Sequence, residues 1–273
     1  MSTSKPPPPF PTTPPPPPTP STPFPYPATD FLRADESSDT DFYSSPRYVT
    51  HIDDHAIGLL QKYYAGTLPR SGRILDLCSS WVSHFPPEME AGAAKGKGEE
   101  DGGVEVVGIG LNAQELAANP LLRETILQDL NADPRIPAAV GPLRATVCVV
   151  SVDYLTKPLA VLASVRERTV EGGSVHLVVS NRCFPTKAIG RWLRIGEEER
   201  LKMVGDYLWW SGWGEVEIVE VCDGRMREGE GGGGGGGGLA RLMGMFGGVD
   251  PLWVVRAVKV AQDGDTGGEK SEL

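Results

Sequence analysis

Short apolar runs of strand type alternate with stretches of helical spacing along most of this chain. Several of the runs are continuously apolar, as parallel strands covered by helices on both faces are. Alternation of strand and helix favours an open, doubly wound sheet with right-handed crossovers. The pattern therefore predicts an α/β fold with a mostly parallel seven-stranded sheet, with strands at 73–78, 104–109, 125–128, 145–152, 174–180, 215–221 and 252–260.

Before and between these runs the sequence predicts helices over 52–64, 113–119, 186–194 and 197–209, and another that Thr156 caps with Pro158 in its first turn. Asn112 precedes the second of them and has a side chain typical of an N-cap. Ligands of doubly wound sheets bind at the carboxyl ends of the strands, near the point where the strand order reverses. Polar residues that follow the strands are therefore the first candidates for a functional site.

Proline-rich and glycine-rich segments set the domain boundaries. The first 27 residues contain 14 prolines, which fix φ and remove backbone donors, so that neither helix nor strand can propagate there. We predict a disordered Pro-rich tail at 1–45, one domain at 46–260 with flexible insertions at 92–103 and 228–238, and a second disordered tail at 261–273. The P-x-x-P pattern of the first tail is also suited to a Pro-binding domain.

Composition excludes several classes of partner. With 26 basic and 36 acidic side chains the net charge is −10, which argues against nucleic acid and anionic lipid as partners. The four cysteines form no C-x-x-C pair, so no metal site is expected and a reducing compartment fits. No apolar run approaches the roughly 20 residues of a membrane span. We expect a soluble cytoplasmic protein, or an organellar one if the tail, which has no acidic residue before Asp30, is a transit segment.

The first predicted strand ends in DLCSSWVSH (76–84), at the place where a dinucleotide-binding protein carries G-x-G-x-x-G. That fingerprint is absent. A turn of small hydroxyl residues lets a ligand approach the backbone, with Ser79, Ser80 and Ser83 as donors; alternatively, the turn satisfies its own backbone. Asp76 lies near the end of a buried strand, where an unpaired carboxylate is costly, so it should bind loop donors or a cationic ligand.

Seven blocks between Pro46 and Lys259 resemble the class I S-adenosylmethionine-dependent methyltransferases, and among them the methyltransferase type 11-like proteins. The blocks are RYVTHIDDHAI (47–57), RILDLCSSWVSHFP (73–86), VVGIGLNAQELAANP (106–120), QDLN (128–131), VCVVSVDYLTKP (147–158), EGG (171–173) and SNRCFPTKAI (180–189). The resemblance implies a Rossmann-like class I methyltransferase fold, S-adenosyl-L-methionine as cofactor, and methyl transfer to a small-molecule acceptor. The alternative is a catalytically inactive methyltransferase-like protein that binds a ligand or a partner.

Two cofactor motifs depart from the family pattern. Cys78, Ser80 and Val82 stand where the family usually has the glycines of D-x-G-x-G-x-G, and Gly110 stands where it usually has an acidic residue for the ribose hydroxyls. Asn112 can accept one such bond, although an amide is a weaker acceptor than a carboxylate. The resemblance thus implies a cofactor site built from Asp76, Ser79, Ser80, Ser83, Gly110, Asn112, Asp129 and Leu130.

Within that site, the resemblance gives Asp129 the adenine amino group and gives the Leu130 backbone the adenine ring. Alternatively, Asp129 caps the following turn. Asp153 and Tyr154 follow the fourth strand at the mouth of the crevice, where the methionine part and the acceptor would meet. The alternative for this pair is a surface position at the start of a loop.

Residues outside the cofactor motifs are candidates for the acceptor side. His51 directly precedes the first helix and is a candidate general base or substrate contact, whereas Asp53 or Asp54 caps that helix, with Asp54 favoured. His84, Asn181 and Arg182 are candidate substrate contacts. Arg182 and Lys187 also suit an anionic substrate group, or else form a charged rim paired with surface acids.

Overall fold

The computed structural model describes residues 10–19, 22–89, 103–224 and 249–261. The helices in these ranges include α1 (Asp39–Phe42), α2 (Asp54–Thr67), α3 (Ala113–Ala118), α4 (Pro158–Arg168), α5 (Gly190–Arg194) and α6 (Glu197–Trp210), with 3-10 turns at Ala28–Phe31, Ala138–Val140 and Val152–Tyr154. The strands are β1 (Thr12–Thr13), β2 (Gly72–Leu77), β3 (Val104–Gly110), β4 (Leu122–Leu127), β5 (Leu143–Val149), β6 (Thr169–Ser180), β7 (Gly214–Cys222) and β8 (Leu252–Val258). The predicted insertions and the C-terminal tail lie outside the described residues, apart from residues 103 and 261.

The strands form one sheet in the order β1-β7-β8-β6-β5-β2-β3-β4. The strands from β2 to β6 pair in parallel, whereas β8 is antiparallel to both β6 and β7. The chain runs outward from β2 to β4 and then returns to β5 on the other side of β2, so the strand order reverses between β2 and β5. This arrangement confirms the predicted doubly wound, mostly parallel, Rossmann-like sheet.

Helices bury both faces of the sheet. Successive side chains of a strand point to opposite faces, so Leu75 and Leu77 of β2 join one apolar cluster and Ile74 joins the other. The first cluster includes buried residues of α4 and α6, and the second includes buried residues of α2. Within the described residues, no helix has both the length and the apolar character that a membrane crossing requires.

The sheet has eight strands where the sequence predicts seven, because the proline-rich segment itself adds β1. Thr12 and Thr13 pair antiparallel with Val219 and Ile218 at the outer edge of β7. The prolines on either side of this pair are tolerated because an edge strand needs its backbone donors on one side only.

Residues 22–45 also depart from the predicted tail. Phe24 lies 6.2 Å from Tyr207 and 6.0 Å from Trp210 between ring centroids, and Tyr26 Oη donates to Asp206 Oδ2 at 2.5 Å. These aromatic side chains bury apolar surface against α6, which offsets the entropy of ordering the segment. The ordered part of the chain therefore begins well before the predicted boundary at residue 46, while residues 1–9 lie outside the described residues.

Candidate functional site

A cavity of about 290 Å³ opens at the carboxyl edge of the sheet. Its walls come from the segments that follow five strands, within 76–84, 109–115, 128–131, 149–155 and 182–184, and from residues between 39 and 51. The first and fourth of these segments follow β2 and β5, the two strands between which the order reverses. The cavity thus lies where the topology predicts a ligand site. It is lined by all but three of the predicted site residues, the exceptions being Ser83, Asp153 and Asn181.

Backbone strain is concentrated around this cavity. Among the described residues, five that are not glycine have φ in the left-handed region. Four of them line the cavity: His51 (63°), Cys78 (57°), His84 (53°) and Val150 (40°). Such conformations cost about 1–3 kcal/mol each and persist where the surrounding structure enforces them, most often at functional sites. Val150 is the most unusual of the four, because a β-branched residue rarely adopts positive φ.

Asp76 accepts hydrogen bonds from two serine hydroxyl groups of the turn after β2. Its Oδ2 accepts from Ser79 Oγ at 2.6 Å and from Ser83 Oγ at 2.7 Å. Burial raises the pKa of Asp76 to about 6, although the two serine hydrogen bonds lower it. Ser83 Oγ also accepts from Asn119 Nδ2 at 2.8 Å and does not line the cavity. The predicted role of Ser83 as a cofactor donor is therefore corrected: it is a buried link in the turn.

The turn packs directly on β3 where the sequence has Gly110. A Cβ added at Gly110 would collide with the Ser79 carbonyl oxygen and would lie 3.0 Å from Leu116 Cδ2. The backbone of Ser79 is fixed at this place, because its N–H donates to the Ile109 carbonyl at 2.7 Å. Any side chain at position 110, including an acidic one, would require the turn after β2 to shift.

Asn112 caps α3, as the sequence predicts. Its Oδ1 accepts from the backbone N–H groups of Gln114 (2.9 Å) and Glu115 (3.0 Å), and its Nδ2 donates to the Tyr43 carbonyl at 2.9 Å. Both ends of the amide are thereby engaged. Asn112 lines the cavity, but its predicted role as a hydrogen-bond acceptor for the ribose is corrected to a structural one.

Glu115 is a buried carboxylate of the cavity wall that sequence reasoning missed. Its Oε1 accepts from the Arg47 backbone N–H and its Oε2 from Ser80 Oγ, both at 2.6 Å. The signal was present as an acidic residue three positions after the N-cap Asn112, the spacing of a capping box. Here the carboxylate binds the turn after β2 and the N-terminal segment.

Asp129 lies in the segment after β4, where it both faces the cavity and caps the following turn. Asp129 lines the cavity, and its Oδ1 also accepts from the backbone N–H of Asn131 at 2.8 Å, which is the capping alternative. Leu130 is buried beside it and contributes apolar wall. Asn131, which was not predicted, donates to Asp39 Oδ2 at 2.8 Å and to the Tyr154 carbonyl at 2.9 Å.

Two histidines line the cavity. Burial lowers the pKa of His51, and it lowers that of His84 to about 4, so both imidazoles are neutral near pH 7. The cap of α2 is Asp53, which accepts from the Ala56 N–H at 2.8 Å, and not Asp54 as favoured from the sequence. No group of three or more potential metal ligands occurs in the part of the chain that the structure describes.

The predicted pair Asp153–Tyr154 is divided by its 3-10 turn. Tyr154 lines the cavity and its Oη accepts from the Phe184 N–H at 2.8 Å. Asp153 points into the protein instead: burial raises its pKa to about 8, and Oδ2 has no hydrogen-bond partner among the described residues. Its predicted catalytic position at the mouth of the crevice is corrected to a buried one.

The loop after β6 contributes less than predicted. Asn181 is exposed and does not line the cavity, which corrects its role as a substrate contact. Arg182 does line it, with Nε bonded to Asp250 Oδ1 at 2.7 Å. Lys187 is fully buried, with Nζ 3.2 Å from Asp35 Oδ2 and 3.3 Å from Asp39 Oδ1. Its charge is already paired, so a role for Lys187 in holding an anionic substrate is corrected.

Residues 39–50, called the strap below, follow the carboxyl edge of the sheet across the cavity. Hydrogen bonds tie the strap to the segments that follow the strands. Asp39 accepts from Asn131 after β4, the Tyr43 carbonyl accepts from Asn112 after β3, and the Arg47 N–H donates to Glu115 of α3. Next, Trp81 Nε1 donates to the Val49 carbonyl at 3.0 Å, which ties the strap to the turn after β2 and keeps Trp81 out of the cavity lining. The strap thus covers the site from one side to the other.

No family model matches the chain, and no curated protein matches its sequence. Several solved structures, however, resemble its fold. The phosphoethanolamine N-methyltransferase 2 of Haemonchus contortus, in complex with S-adenosyl-L-methionine, is 11% identical with a TM-score of 0.43, over 76% of this chain and 53% of that one. A SAM-dependent methyltransferase of Archaeoglobus fulgidus is 14% identical with a TM-score of 0.45, over 74% and 94%. The CMeT domain of citrinin polyketide synthase is 15% identical with a TM-score of 0.47, over 82% and 56%. This chain therefore spans about half the length of the first and third.

Proposed function

We propose that this chain transfers the methyl group of S-adenosylmethionine to a small-molecule acceptor. The observation that carries the proposal is the cavity at the reversal of strand order, to which the segments after β2, β3, β4 and β5 all contribute. Nucleotide ligands of open α/β sheets bind at this place. Four of the sequence blocks that resemble the methyltransferases supply these segments.

The chemistry of the cavity wall suits an adenosine-containing ligand. Asp129 and Glu115 offer carboxylate oxygens to amino and hydroxyl donors, and Ile109, Leu111 and Leu130 offer apolar surface to an aromatic base. The volume of about 290 Å³ is close to the lower end of the range typical of small-molecule sites, about 300 Å³. A cavity of this size suits a small-molecule ligand better than a macromolecular one.

When bound, the cofactor supplies a methyl group on a positively charged sulfur. The protein's task is then to align the acceptor with that methyl group and to exclude water, which needs little acid–base chemistry. The strap covers the site, and the Phe184 N–H fixes the Tyr154 phenol beside it. His51, which lines the cavity as a neutral imidazole, is placed to take a proton where the acceptor must lose one, and His84 beside it is a candidate substrate contact.

Two expectations about the wider context remain proposals. We expect the protein in the cytoplasm, with an organelle as the alternative. We also propose that a Pro-binding domain docks on the Pro-rich N-terminal tail.

Isothermal titration calorimetry with S-adenosylmethionine and S-adenosylhomocysteine tests the proposal. We expect both to bind, and Asp129→Ala to weaken binding by about tenfold, the loss of one hydrogen bond to a charged group. Asp133→Ala is the matched control, because this carboxylate lies on the exterior and pairs with Arg135. No heat at high micromolar ligand would refute methyl transfer. Binding without turnover of any acceptor in a broad screen would favour the inactive alternative.

A further inference from the structure

We infer that Glu115 binds the ribose hydroxyls of the cofactor, so that this carboxylate comes from α3 and not from the end of β3. The inference rests on the proposed function and concerns the same cavity. Carboxylates are the usual partners of a ribose diol, because each hydroxyl donates to an anionic oxygen. The question is which carboxylate of this chain is available for that contact.

The end of β3 cannot supply it. A side chain at position 110 would collide with the Ser79 carbonyl oxygen, so the turn after β2 occupies the space that an acidic side chain would need. The Asn112 amide, two residues later, already uses its oxygen to cap α3 and its nitrogen to donate to the Tyr43 carbonyl. Neither position offers a free acceptor to a ligand.

Glu115 has both the position and the remaining capacity. It lines the cavity, and each of its oxygens accepts one hydrogen bond at 2.6 Å, from Arg47 N–H and from Ser80 Oγ. A carboxylate offers about four acceptor sites, so about two remain for a ligand. The two existing bonds come from different segments and fix the orientation of the carboxylate, which prepares it for binding without further ordering.

The competing explanation is that Glu115 only ties the strap to the turn after β2. In that case its loss weakens every ligand of the cavity equally, whether or not the ligand has ribose hydroxyls. If Glu115 binds the diol, its loss weakens only ligands that carry the hydroxyls. Removing the hydroxyls from the ligand and the charge from the protein, separately and together, distinguishes the two roles.

The experiment is calorimetric titration of S-adenosylhomocysteine and its 2′-deoxy and 3′-deoxy analogues into the full chain. We expect wild type to lose about tenfold in affinity with at least one deoxy analogue, equivalent to about 1.4 kcal/mol. Glu115→Gln should bind S-adenosylhomocysteine about tenfold more weakly and discriminate the analogues less than about twofold. Glu124→Gln is the matched control, because Glu124 lies on β4 outside the cavity and forms an ion pair with Arg73 of β2. It should retain full discrimination.

Equal affinity of wild type for all three ligands overturns the inference without reference to any variant. An equal loss for all three ligands in Glu115→Gln overturns it in favour of the tie. If circular dichroism shows Glu115→Gln unfolded, Glu115→Asp replaces it, and retained discrimination in that variant, whose carboxylate is one methylene shorter, counts against the inference. If wild type does not bind S-adenosylhomocysteine at all, the proposed function fails and the inference with it, an outcome distinct from the other three.

Discussion

Asp153 should make the protein less stable as the pH rises through neutrality. Its carboxyl group is fully buried, with one oxygen unpartnered among the described residues, and burial raises its pKa from 3.8 to about 8. The unfolded chain therefore loses this proton near pH 4, whereas the folded chain keeps it until about pH 8. Between these values the folded state binds more protons, so the free energy of unfolding falls with rising pH, by at most about 1.4 kcal/mol per pH unit.

Asp153→Asn should remove this dependence, since a neutral amide has nearly the shape of the protonated acid. Between about pH 6.5 and pH 8 we expect wild type to lose about 1.5 kcal/mol relative to the variant. This window lies above the pKa of about 6 of Asp76, and histidine titration cancels in the difference between the two proteins. Below about pH 4 the Asp153 contribution no longer changes with pH.

Urea denaturation at several pH values in this window measures the difference. Asp133→Asn is the control, because its hydrogen bonds with Arg135 hold the pKa of that exposed carboxyl at about 2, so that it is ionised throughout. Parallel pH profiles for wild type and Asp153→Asn would refute the reasoning, and so would a wild-type chain that gains stability relative to the variant.

Two further predictions concern stability and are also measured by urea denaturation. Lys187→Met leaves two carboxylates without their buried partner and should lower the free energy of unfolding by about 3 kcal/mol, whereas Lys202→Met, at a half-exposed ion pair, should cost less than about 1 kcal/mol. Equal losses would show that burial of the Lys187 ion pairs makes no difference to their contribution. Gly110→Ala should cost about 1–3 kcal/mol by overpacking against Ser79, whereas Gly58→Ala, in open space on α2, should stabilise by about 0.5–1 kcal/mol. A neutral Gly110→Ala would show that the turn after β2 can move away.

The fold was predictable to the extent that it depends on local pattern. Continuous apolar runs identify β5 and β6, because such strands are covered on both faces, and Asn112 identifies the start of α3, because a cap depends on residues close in sequence. The pairing of Thr12 with Val219 and the contact of Phe24 with Tyr207 join positions about two hundred residues apart. Proline content is a local signal, so it extended the predicted tail past the point where aromatic burial begins.

The candidate site was predictable in its place but less so in its partners. Strand order alone brings Asp76, Asp129 and Tyr154 to one cavity, because parallel strands share a carboxyl edge. Whether a polar group faces a ligand or another side chain depends on contacts across the chain. Ser83 binds Asp76, and Lys187 binds carboxylates from a segment about 150 residues away, contacts that no spacing rule reports.

The same contacts explain how a turn without glycines can close this edge of the sheet. In the usual motif the glycines leave room for a ligand against the backbone; here Gly110 leaves that room on β3, and the Ser79 carbonyl fills it. Asp76, Glu115 and the strap hold the turn in this position through hydrogen bonds of 2.6–3.0 Å. The positive φ values of Cys78 and His84 at the two ends of the turn are the strain that these bonds offset. Substitutions that break these hydrogen bonds should therefore change ligand binding in the cavity more than they change the stability of the sheet.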